Sequence, residues 1–295
     1  MKRLFVLVFL MLLPVIGSAQ SNILNAHTPQ EIGRPTPQQI KEDHSRPLPY
    51  PFTDDKDVLW SIQVWEKIDL DERFNLRLYY PVDTALATPG QVSLFDALMS
   101  GINSGKITEV YADTYFTEKL TPDMLKERMT FTDTMDAGIE QYNYEGKVDE
   151  QYIRRMKITS AEIEEYHVRG VWYFDARYGE LRYRLIGIAP VAYDLASVAA
   201  GMDAELVELF WVFFPDARET LHNYYAYNPR NAARPMNYDH LLNGRFFNTI
   251  IYKTSNEYGD RSIREYIHEN ALRQLLESNR IKEMIRDYEE DQWNY

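Results

Sequence analysis

The 295-residue chain contains no cysteine. That excludes disulfides, a thiol nucleophile, cysteine-ligated zinc and the lipidated cysteine of a bacterial lipoprotein, so any hold on a membrane has to come through another molecule. Glycine is sparse, at 13 residues, and neither common phosphate-cradling glycine loop is present. The six histidines, His27, His44, His167, His222, His240 and His268, include no two at metal-ligand spacing. His268-Glu269 begins like a metalloprotease helix, but Leu272 stands where the second imidazole belongs. No serine occupies a G-x-S-x-G elbow, since Gly101-Ile-Asn-Ser-Gly105 has the wrong register. Long apolar runs are missing as well: residues 4–16 fall short of the roughly 20 that cross a bilayer, and residues 206–214 are fewer still. Positive charge is outnumbered, 32 Lys and Arg against 45 Asp and Glu. The balance argues against nucleic acid or an anionic lipid surface and favours basic protein partners.

The chain opens Met1-Lys2-Arg3, runs apolar over 4–16 and reaches Gly17-Ser18-Ala19. These are the three parts of a cleavable signal peptide, which predicts a cut after Ala19 and a life outside the cytoplasm. Residues 20–55 are poor in large apolar side chains and carry Pro29, Pro35, Pro37, Pro47, Pro49 and Pro51. They read as an extended arm, either a disordered tail or a segment that orders on a neighbouring subunit. An N-terminal half over 56–147 and a C-terminal half over 148–295 follow, with a soft boundary in the polar stretch 130–147 unless the two run on as one domain.

The predicted fold class is α+β: short, mostly antiparallel sheets with helices at the C-terminus. Val58, Leu59, Ile62 and Trp65 fall at helical spacing, whereas 74–80 alternate like a strand and stop at Pro81. Ser93 is placed to cap a helix ending at Gly101, and Thr121-Pro122-Asp123 opens another. Thr159 with Glu162 forms a capping box for one short turn. Two strands, 166–174 and 181–189, are joined at Gly179, and 187–190 ends the second. Residues 206–214, stopped by Pro215, have the pattern of a strand buried on both faces. Helices are predicted over 216–225 and 238–247 with a turn at Asn228-Pro229 between them. A last helical stretch over 261–288 slips phase at Ser278-Asn279, which predicts a kink or two helices. A faint echo between 65–81 and 172–190 raises an internal duplication.

Chemistry-bearing patterns are few. Carboxylate pairs such as Asp69 with Asp71 and Glu164 with Glu165 are common in any acidic chain, and nothing orients them as a glycosidase pair or calcium site. Aromatic and basic residues stand out instead, among 22 tyrosines and five tryptophans. Trp172 and Tyr173 lie ahead of Arg182 and Arg184, and Trp60 and Trp65 lie upstream. The plain reading is two core strands with a solvated basic face. The functional one is a protein interface, in which Arg182 and Arg184 pair with carboxylates of another subunit.

Five segments carry a resemblance: Leu59-Trp-Ser-Ile-Gln-Val-Trp-Glu-Lys-Ile-Asp69, Asn75-Leu-Arg-Leu-Tyr-Tyr-Pro81, Val171-Trp-Tyr-Phe-Asp175, Arg184-Leu-Ile-Gly-Ile-Ala-Pro-Val191, and Arg245-Phe-Phe-Asn-Thr-Ile-Ile-Tyr-Lys253 with Asn256. From Val58 onward the chain resembles the GldN/PorN family of gliding-motility and type IX secretion proteins. One departure is Gly170, where that family often carries a charged residue. The resemblance implies a non-enzymatic periplasmic protein, peripheral to the inner face of the outer membrane and without a cofactor. It implies pairing with a GldK/PorK-type lipoprotein that supplies the only membrane contact, a ring of like subunits, and contact with GldL/GldM-type motor components. The alternative from the residues alone is a secreted hydrolase or carbohydrate-binding protein using carboxylate pairs and exposed aromatics.

Overall fold

The computed structural model describes residues 46–83, 90–227, 236–257, 259–268 and 270–293. The signal peptide, residues 20–45 of the arm and the Asn228-Pro229 turn lie outside them. The fold is α+β, and the paired strands are antiparallel. Three long strands form its centre: β1 (Val58–Asp69), β5 (Ile163–Asp175) and β6 (Glu180–Tyr193). The sheet runs β11 (Ile250–Thr254), β1, β5, β6, β8 (Trp211–Phe213), β2 (Val110–Tyr111), with β7 (Leu206–Glu208) also paired to β6. β3 (Thr130–Thr134) and β4 (Ile153–Lys157) make a separate hairpin, and β9 (Tyr225–Ala226) with β10 (Met236–Asn237) a third pair. The main sheet therefore draws strands from both sides of residues 130–147.

The β5–β6 hairpin follows from local chemistry. Gly179 takes φ 65° at the turn, a left-handed conformation that costs a residue without Cβ nothing. Caps set the helix starts in the same way. The Ser93 hydroxyl accepts from Asp96 N–H ahead of α2 (Leu94–Asn103), whereas α1 (Leu76–Tyr79) starts at Asn75 without a side-chain cap. Thr121 accepts from Met124 N–H ahead of α3 (Pro122–Met129), and the Thr159–Glu162 capping box opens one 3-10 turn.

Other expectations need correction. Residues 58–65 form strand, not helix: near the middle of β1 Val64 and Trp65 are both fully buried, so two covered faces erase the strand's alternation. Residues 74–80 turn and form α1 rather than a strand. The buried Asn75 side chain fixes the turn by donating to the carbonyls of Asp69 (2.7 Å) and Asn248 (3.1 Å) and accepting from Asn248 N–H (2.8 Å). These two outcomes also dissolve the echo, since 74–80 and 181–189 adopt different structures. β6 runs through 187–190 to Tyr193, because Pro190 needs no donor in its place on the ladder. The 206–214 run breaks into β7 and β8, and Leu206 and Val207 are exposed. Pro215 starts rather than stops an element, standing in the first turn of α6 (Phe214–His222).

Between β3 and β4 lies α4 (Asp136–Glu145), and α5 (Leu195–Ala199) follows β6. The 238–247 helix is shorter than expected, α7 (Tyr238–Asn243). The C-terminal stretch is two helices, α8 (Ile263–Tyr266) and α9 (Ala271–Trp293). The first ends at Tyr266 and the second starts at Ala271, so the break is not at Ser278, whose buried hydroxyl accepts from Ile251 N–H at 2.9 Å.

One face of the sheet packs on α2, α6 and α7 around Ile68, Leu98, Tyr166, Ile188, Phe214 and Leu242. Farther along the same face α9 covers Val64 and Ile251 with Ile281 and Ile285. The arm's end is fixed to the body: Tyr50 donates to Asn243 Oδ1 at 2.9 Å, with the Arg184 and Arg218 guanidiniums 4.1 and 4.2 Å from its ring.

Candidate functional site

Under α9 the sheet opens into a cleft of about 570 Å³ whose walls include Trp172, Leu181, Phe247, Ile285 and Lys282. At its base is Glu66, 1% exposed, pointing from β1 toward the helix side of the sheet. Arg245 holds it with two hydrogen bonds, Nη1 to Oε2 at 2.7 Å and Nη2 to Oε1 at 2.9 Å. Thr249 Oγ1 donates to Oε1 at 2.9 Å and the Tyr183 hydroxyl to Oε2 at 3.3 Å. Arg245 reaches this position with φ 52°, a backbone strain the ion pair offsets. Its guanidinium also lies 4.0 Å from the Tyr183 ring centre and 5.0 Å from that of Trp172.

Burial by itself pushes the Glu66 carboxyl up. The charge and hydrogen bonds of Arg245, with the Thr249 hydroxyl, outweigh burial and hold it below the usual carboxylate range. Burial likewise opposes charge on Arg245, and Glu66 more than restores it. Both carboxylate oxygens are therefore occupied by donors. The ion pair fixes the loop after α7 to the sheet. Lys282 completes the clamp from α9 by donating to the Thr249 carbonyl.

Gly170 explains how Tyr183 gets there. A Cβ at Gly170 would stand 2.1 Å from the Tyr183 hydroxyl oxygen, so the ring crosses β5 where a side chain is missing. Gly170 is thus a packing site, and β5 is continuous through it.

The opposite face is built differently. Arg169 on β5 donates to the Thr114 carbonyl (2.8 Å) and Gln63 Oε1 (2.6 Å) and lies 5.2 Å from the Trp65 and 5.1 Å from the Tyr115 ring centres. Lys253 sits 4.5 Å from Trp65 on the same platform. Beside it His167 Nδ1 is 2.6 Å from Glu208 Oε1 and Nε2 3.4 Å from Glu165 Oε2. Burial pushes the imidazolium down, but those two carboxylates outweigh it and raise the His167 pKa.

The residues singled out from sequence fall on several surfaces. Trp65 is fully buried, its indole N–H bonded to Thr114 Oγ1 at 2.6 Å, and Tyr173 is buried too. Neither presents surface. Trp60 is half-buried and stacks on Tyr288 of α9 at 4.6 Å, and Trp172 tilts against Tyr183 at 5.0 Å. Arg182 pairs with Glu180 (2.5 Å) and Asp175 (3.6 Å), and Arg184 with Tyr50. Of the carboxylate pairs, Glu164 is raised by burial and by Asp71, Asp69 and Glu165. Among the described residues no group of three or more His, Asp or Glu is placed to hold a metal ion. The Glu66–Arg245 centre was missed, and its only sequence signal is a glutamate between buried neighbours in a strand.

The α+β body commits its deeply buried charges Glu66 and Asp239 to internal ion pairs with Arg245 and Arg218. The sequence matches the family described as Gliding motility associated protein GldN over residues 53–294, and the chain belongs to that family. It is a gliding-motility-associated protein. No curated protein matches it. Four of the five segments that carry the resemblance contribute Glu66, Asn75, Trp172 and the Arg245–Thr249 loop to one neighbourhood.

Proposed function

We propose that this chain is a non-enzymatic structural subunit of a type IX secretion system, working in the periplasm against the inner face of the outer membrane after cleavage behind Ala19. In this reading it pairs with a GldK/PorK-type lipoprotein, which supplies the membrane tether a cysteine-free chain lacks. Like subunits and that partner make a ring, which meets GldL/GldM-type motor components and supports secretion and gliding. The carrying observation is the family match along 53–294. Support comes from the way four of the family-like segments meet at a buried carboxylate whose two oxygens both carry donors. The exposed sides of Arg182 and Arg184, on the face of β6 opposite Tyr183, are the surface we assign to the lipoprotein.

Co-purification from envelope membranes in mild detergent, followed by mass analysis, tests the reading. The expected result is a large complex containing the lipoprotein in fixed ratio. A chain recovered alone, or one that turns over a substrate by itself, overturns it. Removing residues 20–45 keeps the Tyr50 anchor and is expected to weaken assembly without shifting the melting temperature.

A further inference from the structure

Two helices carry apolar stripes that the body leaves uncovered. On α4 Met135, Ile139 and Tyr142, spaced i, i+4 and i+7, are 48, 49 and 59% exposed. On the first turns of α9 Leu272, Leu275 and Leu276 are 67, 42 and 58% exposed. Stripes of this spacing are how a helix offers anchors to a partner. They lie off opposite edges of the sheet. α9 packs on β11, the first strand in the order, whereas α4 belongs to the β3–β4 excursion, which packs on α5 beyond β6.

Their charges are opposed. Residues 133–150 hold six carboxylates against Lys147 alone, while 261–280 hold four arginines against three glutamates in a chain of net charge −13. Beside the α9 stripe a hollow of about 530 Å³ is bounded by Arg264, His268 and Gln274. Two α4 segments face to face would oppose acid with acid; α4 against the α8–α9 patch opposes acid with arginine, the arrangement electrostatics favours.

We infer that the α4 stripe of one copy docks on the α8–α9 patch of a second copy of this chain. Because the two patches differ, the contact is head to tail, and each added copy leaves one patch of each kind free, which builds rings or filaments rather than closed pairs. The inference deepens the structural-subunit reading and rests on it for its setting.

The absence of native cysteine makes the contact testable by disulfide trapping. Ile139→Cys and Leu276→Cys, both at exposed positions, are placed in one chain and oxidised mildly, as purified protein and after co-expression with the lipoprotein. The expected result is a ladder of covalent multimers from the double variant, dimers only from a mixture of the two single variants, and nothing from either single variant alone. Arg273→Glu should abolish the ladder and Glu140→Arg added to it should restore it. No ladder in either preparation, dimers from one single variant alone, or a ladder indifferent to Arg273→Glu each overturns the inference. A lipoprotein complex without a ladder sinks this contact and spares the proposed function; a ladder without lipoprotein does the reverse.

Discussion

Two arginines on opposite faces of one sheet are held by different means. Arg245 sits against a buried carboxylate that answers it atom for atom. Arg169 has a carbonyl, an amide oxygen and aromatic faces, and its Nε has no partner among the described residues. Burial lowers the Arg169 pKa accordingly, with only distant help from Tyr115, Asp260 and Asp113. The difference teaches where damage propagates. Deleting half of a buried ion pair strands the other half, whereas deleting a cation from neutral acceptors and rings strands no charge.

That contrast sets an order of effects. Arg245→Ala or Glu66→Ala should cost about 3–5 kcal/mol, the range for breaking a buried pair, read as a lowered urea midpoint. Next is Gly170→Ala, which displaces the Tyr183 ring and with it one donor to Glu66; overpacking of this kind costs about 1–3 kcal/mol, and Tyr183→Phe should make the substitution cheaper. Arg169→Met should cost about 1–2 kcal/mol, from lost cation–π and hydrogen-bond contacts. A loss as large as that for Arg245 would break the comparison.

The smallest effect is a slope with pH. His167 has a raised folded-state pKa, so the stability it adds is fully present below its unfolded value of about 6.5 and is lost as pH rises through the folded value. The urea midpoint should therefore fall between about pH 6 and pH 9 by more in the native chain than in His167→Gln. Equal falls would remove the Glu165–His167–Glu208 bridge from the account.

Local signals were read correctly where one residue decides the outcome: Gly179 at its turn, and Ser93, Thr121 and Thr159 at their caps. They failed where burial on two faces hid the period, as in β1, and where a side chain imitates backbone, as Asn75 does for 74–80. Trp65 reads as an interface aromatic because nothing nearby in sequence announces that the loop carrying Thr114 and Tyr115 folds over it. The central ion pair was illegible for the same reason. Glu66 and Arg245 are 179 positions apart, and only the sheet brings them together.

The three central strands, of 12, 13 and 14 residues, also bear on mechanics. Tension applied along their length loads the rungs of both ladders together, in shear, so they resist as a set. A peeling force at the β5–β6 turn would meet them one at a time. A body built this way is stiff along one axis and compliant across it, so the direction of an applied pull decides how long it stays folded.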